Sequence, residues 1–306
     1  MKALVISGGG SKGAFAGGVA EYLIKTQGKK YDIFVGTSVG SLLVSHLALN
    51  KINELKTIFS TITNQDVFNI YPFKVKEVNG EFNLKINHVN TVRAFIKGCG
   101  TFGESNNLRK LISRVFTPQD FEILKRTSNV TFTVSNLTLQ KVEYKEAHEC
   151  TYEDFCDWMW ASANFVPFMS ILHKNNCQYA DGSFGSHISV LYAIGKGATE
   201  IDVIILDEDE KSTNTQIATN PFQSLMAVFK FMSNQSALKD ILIGKLKGKQ
   251  SKIDVKLWRP QEKLTDNPLF FNPVQMKSWW EKGYQYAKNN KPLCHCFLPN
   301  GEIKEM

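Results

Sequence analysis

No stretch of this 306-residue chain is apolar for long enough to cross a bilayer, and no basic start followed by an apolar core precedes its first segment. Residues 1 to 7 read as a buried strand, and the glycine cluster after them interrupts any longer hydrophobic run. Neither a cleaved leader nor a membrane span is expected. The six cysteines, at positions 99, 150, 156, 177, 294 and 296, lack the spacing of a disulfide scaffold. Reduced thiols in a cytoplasmic protein are the expectation. The histidines show no metal-ligand spacing apart from Cys294-His295-Cys296, which has no matching second half, so no metal and no cofactor are expected. Internal repeats and low-complexity linkers are missing too. Basic residues outnumber acidic ones by 36 to 29, a net charge of +7. That excess is modest and no nucleic-acid module accompanies it, so a nucleic-acid partner is not expected.

What the chain has is length and apolar content, 43% of its residues, enough for one fairly large domain spanning 1–306. Apolar, β-rich runs at 2–7, 31–36, 130–135, 201–206 and 253–258 alternate with longer helical patterns. This alternation predicts an α/β fold, a three-layer sandwich with a mostly parallel central sheet. Within it, Gly36-Thr37-Ser38-Val39-Gly40 lies between the runs YDIFV and SLLVSHLAL, where a strand turns sharply into a helix. Glycines two residues either side of a serine are what a nucleophile elbow needs, because side chains there would collide with the adjoining strand and helix. Ser38 is therefore the candidate nucleophile.

A second cluster, Gly8-Gly9-Gly10-Ser11-Lys12-Gly13, follows KALVIS and precedes AFAGGVAEYLIK, again a strand, a tight loop and a helix. In a parallel sheet both loops open on the same edge, where ligands bind. Bare backbone N–H groups there would face the Ser38 hydroxyl, and serine acyl transfer requires such donors for its oxyanion. The same loop matches the dinucleotide fingerprint, but that motif also needs an acid closing the second strand; Asp32 opens that strand instead, and it closes in Gly-Thr-Ser. A phosphate-binding P-loop fails because Lys12 precedes the last glycine.

Two further segments join these, Ala161-Ser162-Ala163-Asn164-Phe165-Val166-Pro167 and Asp181-Gly182-Ser183. With the GGGxKG loop and the GxSxG elbow they carry a resemblance, over roughly residues 1 to 205, to the patatin-like phospholipases. That family's pattern is a GGGxKG or GGGxRG loop, a GxSxG elbow, an ASxxxP segment and an Asp-Gly-Gly or Asp-Gly-Ala turn. The stretch Gly100 to Ile112 also resembles the segment before a helix in that family, while residues 206–306 extend beyond the motifs as the C-terminal part of the same domain. The resemblance implies a catalytic pair, Ser38 as nucleophile and Asp181 as base, without a histidine. It also implies a backbone oxyanion hole from Gly8, Gly9, Gly10 and the N–H of Val39, with Lys12, Gly13, Gly36, Gly40 and Gly182 supporting the motifs. Asp181 must then be desolvated to act as a base. Three departures stand out: Ser183 replaces a small apolar residue, Gly185-Ser186-His187-Ile188-Ser189 follows where an asparagine and a proline are common, and Val39 stands where alanine is frequent.

The implied activity is a serine lipid acyl hydrolase of phospholipase A type acting on glycerophospholipids. A different ester or thioester for the same pair, or a nucleotide- or lipid-binding module without turnover, remains open. His187 follows Asp181 at triad-like order, but one strand alone precedes the elbow, so a structural histidine is expected. Residues 64 to 104 look the least regular, with aromatics that pin an insertion to the core or else form a lid or acyl wall. Lys239, Lys245, Lys247, Lys249, Lys252 and Lys256 follow a strongly apolar helical pattern. Peripheral docking on anionic lipid is one reading and a core helix with a solvated lysine turn the other, the second favoured by how many apolar residues the stretch holds.

Overall fold

A computed structural model describes residues 1–78, 81–207, 221–251, 253–292, 295–297 and 303–305. Strand β1 (Lys2–Ile6) passes through the glycine loop into helix α1 (Gly13–Glu21), and β2 (Ile33–Thr37) passes through the elbow into α2 (Val39–Ala48). Helices α3 (Ile52–Thr61) and α4 (Asn64–Val67) lead to an antiparallel pair, β3 (Phe73–Val78) and β4 (Glu81–Ile86), and to α5 (His88–Ile96). Next come α6 (Asn106–Val115), α7 (Pro118–Thr127), β5 (Asn129–Asn136), β6 (Lys141–Glu146) and α8 (Tyr152–Ser162). Strands β7 (Leu172–Lys174) and β8 (Cys177–Asp181) precede α9 (Val190–Gly195) and β9 (Glu200–Ile204). The chain continues through α10 (Pro221–Ser251), β10 (Asp254–Trp258) and α11 (Pro273–Asn289) to a small pair, β11 (His295–Phe297) and β12 (Ile303–Glu305).

The main sheet runs in the order β10-β9-β1-β2-β5-β8-β7, with β6 also on β5. Its first five strands are parallel; β6, β7 and β8 are antiparallel additions at one side. Alternate residues of the parallel strands serve two cores. In β1, Leu4 and Ile6 join the larger one beneath α1, α2, α3, α8 and α11, while Ala3 and Val5 join a smaller one beneath α9 and α10. Helices on both faces explain why these strands are apolar runs without alternation. The expected three-layer α/β architecture is thus present.

Local signals place the elements that carry the site. Thr117 and Asp120 cap α7 reciprocally, Thr117 Oγ1 accepting from the Asp120 N–H and Asp120 Oδ2 from the Thr117 N–H, with Pro118 at the first helical position. The helix ends directly before β5, which pairs with β2. At the far end of the chain, α11 inserts Trp280 against α1, where its Nε1 donates to Glu21 Oε2 at 2.6 Å. Burying a ring of that size contributes on the order of 3 kcal/mol.

Two expectations are corrected. Residues 64 to 104 are not irregular: they hold α4, the β3–β4 pair and α5, and Phe68 and Phe73 are buried in the larger core. Their mixed polar and aromatic composition hid the elements because the small sheet lies outside the main one and buries little of its surface. Helix α10 is a core helix on one side only, Ala237 joining the smaller core with Ile241 packed against it, and Leu225, Met226 and Phe229 packing against the larger one. Among its described residues Ala237 and Gly244 are buried, whereas Val228, Phe231, Met232, Leu242 and Ile243 are exposed. The side chains of Lys245, Lys247, Lys249 and Lys252, and the Cys294-His295-Cys296 side chains, lie outside the described residues.

Candidate active site

Ser38 occupies the turn between β2 and α2 with φ 56° and ψ −125°. That is the left-handed half of the backbone map, where a residue with a β-carbon costs on the order of 1–2 kcal/mol. The flanking glycines permit the turn. A β-carbon on Gly36 would lie 2.5 Å from the Gly40 backbone, and one on Gly40 would lie 2.3 Å from the Ile6 carbonyl oxygen. Strain at Ser38 is held by its surroundings: its N–H donates to Ser162 Oγ at 3.0 Å, and Ser162 Oγ donates to the Thr133 carbonyl at 2.7 Å. Ser162 belongs to the Ala-Ser motif, so this segment braces the elbow from α8.

Asp181 reaches the elbow because β8 runs against the parallel strands. Thr37 is level with Thr133 on β5, and Val134, the next residue, pairs with Asp181. The antiparallel strand therefore delivers its last side chain beside the strand end that carries Ser38. Asp181 Oδ2 accepts from Ser38 Oγ at 2.6 Å, and Oδ1 accepts from the Ser183 N–H at 2.8 Å. Its own N–H donates to the Asn164 carbonyl at 3.0 Å, and the Asn164 side chain is held by Ser105 Oγ at 2.6 Å. The carboxyl is 1% exposed. Burial pushes its pKa up to about 6, against the downward pull of the Ser38 and Ser183 hydrogen bonds and of nearby His187.

The first glycine loop faces this pair. A β-carbon on Gly8 would sit 2.2 Å from Ser183 Oγ and 3.1 Å from Ser38 Cβ, so the loop passes close against the Ser38 side chain. Ser11 N–H donates to the Pro268 carbonyl and Lys12 N–H to the Gly9 carbonyl. No described residue accepts a hydrogen bond from the N–H of Gly8, Gly9, Gly10 or Val39. Gly13 opens α1, and Gly182 opens the turn after Asp181.

Lys12 is buried and belongs to a second cluster. Its Nζ lies 2.5 Å from Asp207 Oδ1, while Asp207 Oδ2 lies 2.9 Å from His187 Nε2. His187 Nδ1 is 3.0 Å from Ser233 Oγ. Burial alone would raise the Asp207 carboxyl, but the Lys12 charge and the His187 contact outweigh it and hold the group well below the usual carboxylate range. Neither nitrogen of His187 is hydrogen-bonded to Ser38 or Asp181: Nδ1 is beside Ser233 and Nε2 lies within ion-pair distance of Asp207. The partners Asp207 and Ser233 had no signal in the sequence, since the contacts join residues far apart in the chain.

Ser38 and Asp181 line one cavity of about 670 Å³. Polar groups gather around the pair, including Lys12, His187 and Asp207, and the remaining wall is mainly apolar, with Leu42, Phe59, Phe73, Phe82, Leu108 and Met169 among its residues. A strained serine on a short bond to a buried carboxyl, near backbone N–H groups with no acceptor among the described residues and beside a mainly apolar cavity, is chemically equipped for acyl transfer. The brace behind the serine is testable. Ser162→Ala leaves the Ser38 N–H and the Thr133 carbonyl unpaired in the interior, and is expected to lower stability by about 1–3 kcal/mol in urea denaturation. An unchanged midpoint and slope would show that the elbow needs no brace.

The sequence profile of the patatin-like phospholipases matches residues 4–194. Among solved structures, VipD from Legionella pneumophila aligns with 14% identity and a TM-score of 0.46, covering 94% of this chain and 66% of that one. The type III effector protein ExoU aligns with 11% identity and a TM-score of 0.30, covering 94% and 53%. The chain spans less than two thirds of either protein. No curated protein matches the sequence.

Proposed function

The chain belongs to the patatin-like phospholipase family, and from that premise we propose that it hydrolyses glycerophospholipid acyl esters through Ser38 and Asp181, as a phospholipase A. The reading rests on the 2.6 Å bond from Ser38 Oγ to Asp181 Oδ2. Ser38 Oγ attacks the ester carbonyl carbon as its proton passes to Asp181. The tetrahedral oxyanion lies against the N–H groups of the Gly8 to Gly10 loop and Val39. Collapse breaks the bond to the glycerol oxygen, which leaves as the lysophospholipid hydroxyl with the proton from Asp181. Water then attacks the acyl-enzyme, giving its proton to the same carboxylate, and the fatty acid departs with Ser38 restored. Mass spectrometry after incubation with mixed diacyl phospholipids should show a free fatty acid and a lysophospholipid in equal amounts. Release of a diacylglycerol or of a free head group, or hydrolysis of thioesters alone, would overturn the substrate assignment.

The substrate sits in a bilayer, and no described helix is long and apolar enough to cross one. We assign the meeting surface to α5 and the β3–β4 pair. Val89, Val92, Phe95 and Ile96 are 51–81% exposed and share α5 with Arg93, and Lys74, Lys76 and Lys85 of the β3–β4 pair and Lys97 after α5 are exposed as well. Phe82 and Leu84 of β4 line the cavity itself. An apolar helix face in a segment rich in exposed cations suits an anionic interface, and the neighbouring β4 reaches the cavity wall. Val89→Ser, Val92→Ser and Ile96→Ser together should weaken binding to phosphatidylserine-containing vesicles at least tenfold, at about 1 kcal/mol for each side chain inserted, while a soluble ester is cleaved as before. Unaltered vesicle binding would move the contact elsewhere, the Lys239 to Lys256 segment being the next candidate.

A further inference from the structure

Helix α2 presents three cavity-lining residues, Val39, Leu42 and His46, at i, i+3 and i+7. That spacing puts them on one helix face, and the face begins at the residue after Ser38. The cavity around its far end is apolar, walled by Leu55 and Ile58 of α3 and by Leu108, Ile112 and Val115 of α6. His46 breaks this pattern. It is 3% exposed and lies edge-on to Phe116, with ring centroids 5.8 Å apart. Neither Nδ1 nor Nε2 has a hydrogen-bond partner among the described residues. Burial lowers its pKa, against a weaker upward pull from the Val115 carbonyl, so the ring is neutral near neutral pH.

A neutral imidazole has one N–H donor and one acceptor nitrogen. The Val115 carbonyl, the acceptor beside it, can serve the N–H at most, and the other nitrogen of this buried ring is left without a partner among the described residues. A buried acceptor in that position favours any occupant that brings a donor. Leucine or phenylalanine would have completed the wall without this cost.

We propose that His46 is a specificity-determining residue that reads a hydroxyl part-way along the acyl chain, so that glycerolipids carrying mid-chain hydroxylated acyl groups are the preferred substrates. A hydroxyl donates to the free ring nitrogen and can accept from the N–H, whereas a methylene leaves the ring unpaired. The position along the chain follows from the helix. Eight residues separate Ser38 from His46, a rise of about 12 Å, which an extended acyl chain covers in roughly ten carbons. The hydroxyl therefore belongs near the tenth carbon. This inference rests on the acyl-hydrolase reading above.

The test compares symmetrical diacyl phosphatidylcholines in mixed vesicles, one with stearoyl chains and others with hydroxystearoyl chains whose hydroxyl sits at the second, the tenth or the last carbon. Fatty-acid release is followed for the wild type and for His46→Leu. The wild type should favour the tenth-carbon isomer by about five- to tenfold over stearoyl, the range of one net hydrogen bond, with no such gain at the other positions. In His46→Leu the ratio should fall to about one, partly through faster cleavage of the stearoyl lipid. The positional scan needs no variant, so it stands even if the substitution impairs folding. Equal rates for all isomers would mean that water satisfies the ring and would overturn the proposal while the hydrolase reading stands. Release from none of the lipids would overturn both.

Discussion

Ser38→Ala is expected to lower hydrolysis of both short-chain esters and phospholipids by at least about four orders of magnitude, because the covalent intermediate cannot form. The fold should survive, since the hydroxyl is small and its partner Asp181 keeps the Ser183 N–H bond. A fluorophosphonate probe, which modifies activated serines, should label the wild type and not the variant. Retention of most activity by Ser38→Ala would remove the elbow from the mechanism. The backbone at this position supplies a second measurement. With φ at 56°, alanine inherits the strain of serine, whereas glycine does not. Ser38→Gly should therefore be more stable than Ser38→Ala by on the order of 1–2 kcal/mol, with both inactive. Equal stability of the two would show that the turn stores no strain.

The parts of this architecture that were legible in the sequence share a physical cause. Strands β1, β2, β5, β9 and β10 are covered on both faces, so each is an apolar run that needs no alternation to be seen. Strands β7 and β8 were not visible: they are short, and His173, Lys174, Cys177 and Gln178 give neither alternation nor a run. The glycine motifs were legible because close approach leaves no room for a β-carbon, as at Gly36 and Gly40. What supports them was not. The brace from Ser162 to Ser38 spans 124 positions, and the contact of Lys12 with Asp207 spans 195. Neither pairing has a local pattern, and His46 looked like any helix residue until the cavity beside it was defined.

Asp181→Asn should be nearly as damaging as loss of the nucleophile, at least about three orders of magnitude in kcat/KM, for a reason the hydrogen bonds make specific. The amide oxygen can still accept from the Ser183 N–H, but the amide nitrogen must face Ser38 Oγ and donate to it, leaving no acceptor for the hydroxyl proton. In the wild type the base works only when ionised. With its pKa pushed up to about 6 by burial, kcat/KM should fall about tenfold per pH unit below 6 and level off above it. Stability should move in the opposite sense. A carboxyl whose pKa is higher folded than unfolded makes the native state bind the extra proton between about pH 4 and 6, so this group's contribution declines as pH rises through that window and stays reduced above it. Asp181→Asn removes the penalty. Its melting temperature should exceed that of the wild type at pH 8, and the gap should close toward pH 4. A variant that is inactive and also less stable at pH 8 would mean that Asp181 holds the site together rather than carrying its proton. A wild-type profile without an inflection near pH 6 would assign the proton transfer to another group.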